Sequence, residues 1–500
     1  MSLPRRAAAV SPKDRPLVPQ GLQIGDVLAD RALIWARADR PSRMYVEWSL
    51  DESMRGAQRV RGPYALEDSD FTARLDVTGL PPDQRVFVRV TFESLASGGA
   101  VSEPVVGRLR TAPSARRNVR FLWSGDTVGQ GYGINPDLGG MRIYESMRAR
   151  QPDFFIHAGD TIYADSPVAA ELPIDQGRIW RNLVTVEKSK VAETLAEFRG
   201  HHRYNFLDGN LRRFNAEVPQ IWQWDDHEVF NNYSDGADLS ADARYTEKNV
   251  RLLAARGQRA FLEYAPLRAA GAEERERVYR RIPYGPLLDV FVLDMRSYRA
   301  PNSWNRQPTA SDATTFLGSA QLRWLQQGLR ESRAVWKVIA ADMPIGLMVR
   351  DGKDATNRDR FDAAANGDGP ALGRELELAE LLRFAKQQKI KNLVWLCADV
   401  HYTAAHYFDP NKAKFPDFDP FWEFVSGPLN AGTFGPNDPD GTFGMQVVYQ
   451  RAAPFMNASP LAGHQFFGEV EISGQDDTLT VTLRDLTGAA LFTQRLQPRT

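Results

Sequence analysis

Cysteine is almost missing from this 500-residue chain: Cys397 stands alone, which excludes an intrachain disulfide and the cysteine-rich zinc modules. An excess of charge of one sign is missing too, because 62 Lys and Arg meet 63 Asp and Glu. The resulting net charge of -1 leaves no basic footprint of the kind that nucleic-acid or anionic-membrane binders carry. No run approaches the roughly 18 uninterrupted apolar residues of a membrane span, so no transmembrane anchor is expected. There is no internal repeat, no low-complexity tract and no G-x-S-x-G elbow for a serine nucleophile. What is present, 43% apolar and 25% charged residues, is the composition of an ordinary globular protein with room for two to four domains.

The first 17 residues are basic, with Arg5 and Arg6 adjacent and only Ala7 to Val10 as an apolar stretch behind them. A secretory leader needs about 7–15 apolar residues at that place. Residues 1–17 therefore read as a disordered or processed segment without a working signal peptide. Two locations stay open: the cytoplasm, or a compartment reached with a leader since removed.

Residues 18–112 carry short alternating runs, Arg31–Arg37, Met44–Ser49, Phe71–Val77 and Val86–Phe92, separated by turn signals such as Gly79-Leu80-Pro81-Pro82. Period-2 patterning with β-branched and aromatic enrichment predicts a β-sandwich. The small, Pro-containing stretch Thr111–Arg117 suits a linker. From residue 117 to 500 apolar strands alternate with helical patterns, an α/β signature. Strands are expected at Val119–Ser124, Phe154–His157, Gln220–Trp224, Leu288–Leu293, Val335–Ala341 and Asn392–Cys397. Helices are expected within Gly140–Arg150, Val191–Arg199, Asp242–Tyr264, Ser319–Arg330 and Gly373–Gln388, with a terminal hairpin over Glu469–Arg484. Phe415–Gly444, dense in Pro, Gly and Asp, reads as a long loop.

Strand after strand ends in a carboxylate. Asp126 follows Phe121–Ser124, Asp160 follows Phe155-Ile156-His157-Ala158-Gly159, Asp225 and Asp226 follow Ile221–Trp224, and Asp399 follows Leu396-Cys397-Ala398. Ligands of open α/β sheets sit at the carboxyl ends of the strands, so these acids can converge on one crevice. Packed carboxylates repel one another unless cations hold them. Two of only seven histidines stand beside them, His227 after Asp226 and His401 two residues beyond Asp399. Mixed oxygen and imidazole donors suit Zn, Mn or Fe, and Ca or Mg where oxygen dominates. An Asp shared by two ions makes a two-metal centre, which activates water and clamps both oxygens of an in-line displacement at phosphorus.

The segments Gly159-Asp160-Thr161-Ile162-Tyr163-Ala164-Asp165, Trp224-Asp225-Asp226-His227-Glu228 with Asn231-Asn232, Leu293-Asp294-Met295-Arg296-Ser297-Tyr298-Arg299, Phe316-Leu317-Gly318 with Gln321 and Trp324-Leu325, Trp336–Ala340, and Asp399-Val400-His401 stand in one order. This set resembles the PhoD-type alkaline phosphatases within the calcineurin-like metallophosphoesterases. The resemblance spans most of the chain. It implies a four-layer αββα catalytic domain behind a fibronectin-III-like sandwich, and hydrolysis of small-molecule phosphate mono- or diesters by a metal-activated water. It further implies Asp160 as bridging ligand, Tyr163 as a phenolate ligand, and Asp226, Asp399 and His401 as further ligands. His227 would be catalytic. Arg296 as a catalytic cation and Arg299 beside it would hold phosphate oxygens, and Asn231 and Asn232 would orient the substrate. Iron and calcium are the metals implied, and a periplasmic or secreted location.

One position departs from the family pattern. Where those enzymes carry Ser-Cys-Gln, with the Cys on the metal, this chain has Ser124-Gly125-Asp126. Asp126 offers a harder ligand, so zinc or manganese stays open. Phospholipid- or nucleotide-directed diesterase activity is the alternative within enzymes, and a non-catalytic metal-bearing surface-binding protein the alternative outside them. Gly129–Gly133 fits no nucleotide-binding pattern and reads as a loop at the site mouth. Ile174–Phe206 reads as a solvated helical face with a lid as its other reading, and Asp351–Arg360 as an exposed loop.

Overall fold

In the computed structural model, which describes residues 12–96, 99–269 and 274–499, the early alternating runs become seven strands. These are β1 (Leu22–Gly25), β2 (Arg31–Arg37), β3 (Ser42–Ser49), β4 (Gln58–Ala65), β5 (Thr72–Thr78), β6 (Arg85–Ser94) and β7 (Val105–Arg110). They pair because each sends every second side chain inward: Met44, Val46 and Trp48 from β3, and Val86, Val88, Val90 and Phe92 from β6, meet Ile24 and Ile34 in one core. The sheet β4-β3-β6-β7 closes one side of that core and β1-β2-β5 the other. Residues 1–11 of the N-terminal segment lie outside the described residues. Its remainder is held to the sandwich, with Leu17 N–H donating to Asp39 over 2.8 Å.

β1 does not end at a free edge. It runs parallel to β12 (Gln220–Gln223), Gly25 opposite Gln220. The sandwich sheet thereby continues through β9 (Phe154–Ala158), β8 (Val119–Ser124), β22 (Phe466–Ile472), β23 (Leu479–Asp485) and β24 (Ala490–Leu496) as one nine-stranded sheet. A seven-stranded sheet lies against it, in the order β13 (Arg280–Pro283), β14 (Leu288–Val292), β15 (Trp336–Ala340), β18 (Leu393–Cys397), β20 (Phe421–Val425), β19 (Thr403–Phe408) and β21 (Met445–Arg451). Phe121, Val290, Val338, Leu396, Phe424 and Val470 fill the space between the sheets.

Both outer faces are covered by helices, which is why the central strands are apolar without alternation. On the nine-stranded sheet, α1 (Ile143–Ala149) and α3 (Gly209–Glu217) pack on Leu122 and Phe155, and α2 (Leu195–Asn205) and α4 (Val250–Tyr264) pack on Trp222 and Trp224. On the seven-stranded sheet, α5 (Ser319–Glu331) and α6 (Glu375–Gln387) cover Phe291, Ile339 and Trp395. The result is a four-layer αββα body extended by the β-sandwich.

Three readings of the sequence change. Phe415–Gly444 is no continuous loop, because β20 lies inside it as an interior strand of its sheet. Ile174–Phe206 is packed in its second half: after the largely exposed hairpin of β10 (Glu171–Pro173) and β11 (Ile179–Arg181), α2 buries Phe198, His201, His202 and Tyr204. Asp351–Arg360 is largely exposed, as expected, but its ends pair in a hairpin of β16 (Arg350–Lys353) and β17 (Asp359–Phe361).

Candidate metal centre

β8, β9 and β12 are mutually parallel, as are β14, β15, β18 and β20. The segments leaving their carboxyl ends carry the functional side chains. The chain turns sharply there: Asp126, Asp160, Asp399 and His401 hold φ of 64°, 53°, 65° and 57°. Left-handed backbone at non-glycine residues is unfavourable and concentrates at functional sites. Glycine makes the crowding possible at two points. At Gly159, φ 92°, a Cβ would lie 2.4 Å from the Asp225 Cβ. At Gly427 it would lie 2.1 Å from Asp126 Oδ2.

Three donor sets form among the described residues, each with its ligand atoms within 4.8 Å: Asp126, Asp160 and His401; Asp160, Asp226 and His227; and Asp225, Asp226 and Asp399. Asp160 and Asp226 each belong to two of them. The Tyr163 hydroxyl lies 2.6 Å from His401 Nε2. Nδ1 of His401 lies 2.5 Å from the Gly432 carbonyl; donating there, it leaves Nε2 its lone pair. Both carboxylate oxygens of Asp126, and Oδ1 of Asp226, are buried without a hydrogen-bond partner. Buried oxygens of that kind are costly unless a cation meets them, so the donor set fits metal ions.

The electrostatics agree. Burial, and then the neighbouring carboxylates, push Asp126, Asp160 and Asp399 well above the usual carboxylate range. Burial and the Asp160 and Asp126 charges push the Tyr163 phenol up. Burial drops His401 to about 3, which keeps its imidazole neutral and able to ligate. Bound cations favour the ionised carboxylates and the phenolate instead.

His227 is held differently. Its Nδ1 lies 2.6 Å from Asp165 Oδ1, its backbone N–H donates to Asp160 Oδ1 over 3.2 Å, and its ring lies tilted against that of Tyr163 with centroids 4.1 Å apart. Burial acts to lower its pKa, but the charges of Asp165, Asp226 and Asp160 outweigh it and hold His227 well above the ordinary histidine value. Asp165 also accepts the Asn231 N–H over 3.0 Å. Sequence reasoning assigned Asp165 no role, although its place five residues after Asp160 in the same glycine-led segment was the available signal.

Asp160, Asp226, His227, Asn231, Asn232, Asp399 and His401 line one cavity of about 370 Å³. Asn232 donates its backbone N–H to Asp226 Oδ2 and its amide to Asp351 Oδ1. Arg296 and Arg299 are not brought to that cavity. Arg296 is fully buried between Asp225 at 2.6 Å, Asp362 at 3.0 Å and Asp342 at 3.2 Å, and comes within 3.7 Å of Asp399. Arg299 is buried against Asp362 at 3.2 Å with its guanidinium over the Phe316 ring. The two arginines expected to hold phosphate are here paired with buried carboxylates behind the candidate ligands. The arginine lining the cavity is Arg350. The Gly129–Gly133 loop lies behind Tyr163, with Gln130 accepting the Gly432 N–H over 3.0 Å.

Comparison with known proteins shows what the chain is similar to. Residues 121–483 match the family described as PhoD-like phosphatase, and residues 5–113 match the PhoD-like phosphatase N-terminal domain. Alkaline phosphatase D of Bacillus subtilis (strain 168) is 28% identical over 436 residues, 83% of this chain and 70% of that protein. A solved structure of PhoD shares the fold with a TM-score of 0.71 at 20% identity, over 98% of this chain and 94% of the other. The purple acid phosphatase PPD1 from yellow lupin (Lupinus luteus) seeds does so at 0.55 and 12% identity, over 97% of this chain and 74% of its own. With the family matched over most of the catalytic layers and over the sandwich, the chain belongs to the PhoD-like phosphatases, hydrolases of phosphate esters.

Proposed function

We propose that the cavity bounded by Asp160, Asp226, His227, Asp399 and His401 is the phosphoesterase centre, and that it works with two or more metal ions. The observation that carries this reading is the convergence of Asp126, Asp160, Asp226, Asp399 and His401 in overlapping donor sets, beside a histidine held by its own carboxylate. Asp126, Tyr163, Asp160 and His401 would hold one cation, and Asp160, Asp226 and Asp399 an oxygen-rich one. Ions bound there supply the Lewis acidity that yields a nucleophile from water near neutral pH and neutralises charge on the phosphoryl oxygens.

The chain's own residues do the rest. Asp165 fixes the His227 ring and favours its protonated form, so that His227 can give a proton to the departing alkoxide. Asn231 and Asn232 meet the ester at the cavity wall. Arg296 keeps Asp225 and Asp399 in place from behind and acts as a positioning residue. A phenolate favours ferric iron at the first position and an all-oxygen set favours calcium at the second, while Asp126 in place of a thiolate leaves zinc or manganese as the competing outcome.

The test is release of 4-nitrophenol from 4-nitrophenyl phosphate and from bis(4-nitrophenyl) phosphate, before and after chelation and with iron, calcium, zinc or manganese restored. Chelator-sensitive release is expected, and the ratio of the two rates separates monoesterase from diesterase. Release that survives complete metal removal would refute the metal-centred reading.

A further inference from the structure

The catalytic cavity has a part that hydrolysis itself leaves unused. Besides the acids and imidazoles it is lined by Val349, Val400, Phe434, Pro436 and Met456. Met456 is 65% exposed, which places a large apolar side chain uncovered at the edge of a polar centre. It stands on a loop that is tied down: Asn457 N–H donates to the Thr433 carbonyl over 2.7 Å, Ala458 N–H to Thr433 Oγ1 over 3.0 Å, and the Tyr132 hydroxyl to the Asn457 carbonyl over 2.9 Å. The Phe434 ring lies 4.9 Å from that of His401, so the apolar surface begins where the candidate ligands end.

Charge on this side is already satisfied. Arg350, the arginine of the lining, pairs with Asp438 at 2.9 Å and approaches Asp359 at 3.6 Å. These pairs are exposed, and their carboxylates, Asp438 and Asp359, would repel a second phosphate or a carboxylate on the substrate. A sugar laid on valine, phenylalanine and methionine would lose hydrogen bonds to water and gain few in return.

Resting on the hydrolytic reading above, we infer that this wall seats the alcohol part of the substrate, and that the enzyme prefers phosphate esters of apolar, uncharged alcohols, alkyl or aryl, over esters of sugars or of alcohols bearing further acidic groups. Each methylene buried against the wall should then tighten binding about fourfold until the wall is covered.

The test measures inhibition of the metal-loaded enzyme by n-alkylphosphonates, methyl to hexyl, against whichever of the two nitrophenyl esters is cleaved, with 2-carboxyethylphosphonate beside propylphosphonate as the charged control. Expected are a three- to fourfold fall in Ki per added methylene over the early members, weaker binding of the carboxylate than of the propyl compound, and a flattened series in Val349→Ser and Met456→Ser. Cleavage of the chromogenic ester with a flat series, or a series that both variants leave as steep as before, overturns this inference alone. Cleavage of neither ester with any restored metal brings down the hydrolytic reading, and this inference with it.

Discussion

His227 and Asp160 are one hydrogen bond apart, the backbone N–H of the first donating to the carboxylate of the second over 3.2 Å, yet they are predicted to fail differently. The imidazole is held by Asp165, so His227→Ala should leave metal content intact and lower turnover about 100- to 10,000-fold, the usual span for a lost general acid. Metal analysis beside a rate measurement checks this, and turnover that survives removes His227 from the mechanism. Asp160→Asn takes charge and a shared oxygen from two donor sets at once; metal and activity should be lost together. The residues that sequence reasoning found were those governed by a local rule, an acid or histidine just past the end of a parallel strand. Arg296 obeyed no such rule. Its partners Asp225, Asp342 and Asp362 come from three separate segments, and nothing next to it in the chain betrays that it is buried.

Among the elements, α6 begins with a buried acid. Glu375 accepts the Asn366 amide over 3.0 Å and the Leu372 N–H over 3.1 Å, while Asp440 takes the backbone N–H groups of Asn366 and Gly367. Burial, and then the charge of Asp440, raise Glu375 from an ordinary 4.5 to about 9. Between those values the folded chain keeps a proton that the unfolded chain has released, so this group takes stability away as pH rises through the interval. Glu375→Gln carries no such proton, and its melting temperature should fall less steeply than that of the unsubstituted chain from pH 5 to 9; parallel melting curves would refute the prediction.

Strands with long apolar runs and clear turns, such as β2 and β8, were legible to the residue. β20 was not, because its five residues sit between Pro420 and the Gly427-Pro428 turn and are buried on both faces by partners far away in the chain. α3 escaped for a related reason: a nine-residue helix with only Leu211 and Phe214 as buried large apolar side chains has little periodicity to show.

Over the whole molecule, the sandwich and the catalytic layers share a sheet. β1 pairs with β12, and Asp26, just beyond β1, is buried against Arg280 of β13 at 2.8 Å. Alternation within each segment could not show a pairing between them. A chain shortened to 114–500 would expose the edge of β12 with Trp222 beside it and leave Arg280 without its counter-charge. It should aggregate on expression, and a soluble monomer with native circular dichroism would count against that expectation.

The candidate ligands come from both layers: Asp126, Asp160 and Asp226 follow strands of the nine-stranded sheet, while Asp399 and His401 follow β18 of the seven-stranded one. An ion shared among them would be a rivet between two plates as well as a reagent. Resistance to heat should therefore rise with the concentration of free metal, since ligand that binds only the folded state stabilises it by mass action, and chelation should loosen the seam between the sheets before the outer helices melt.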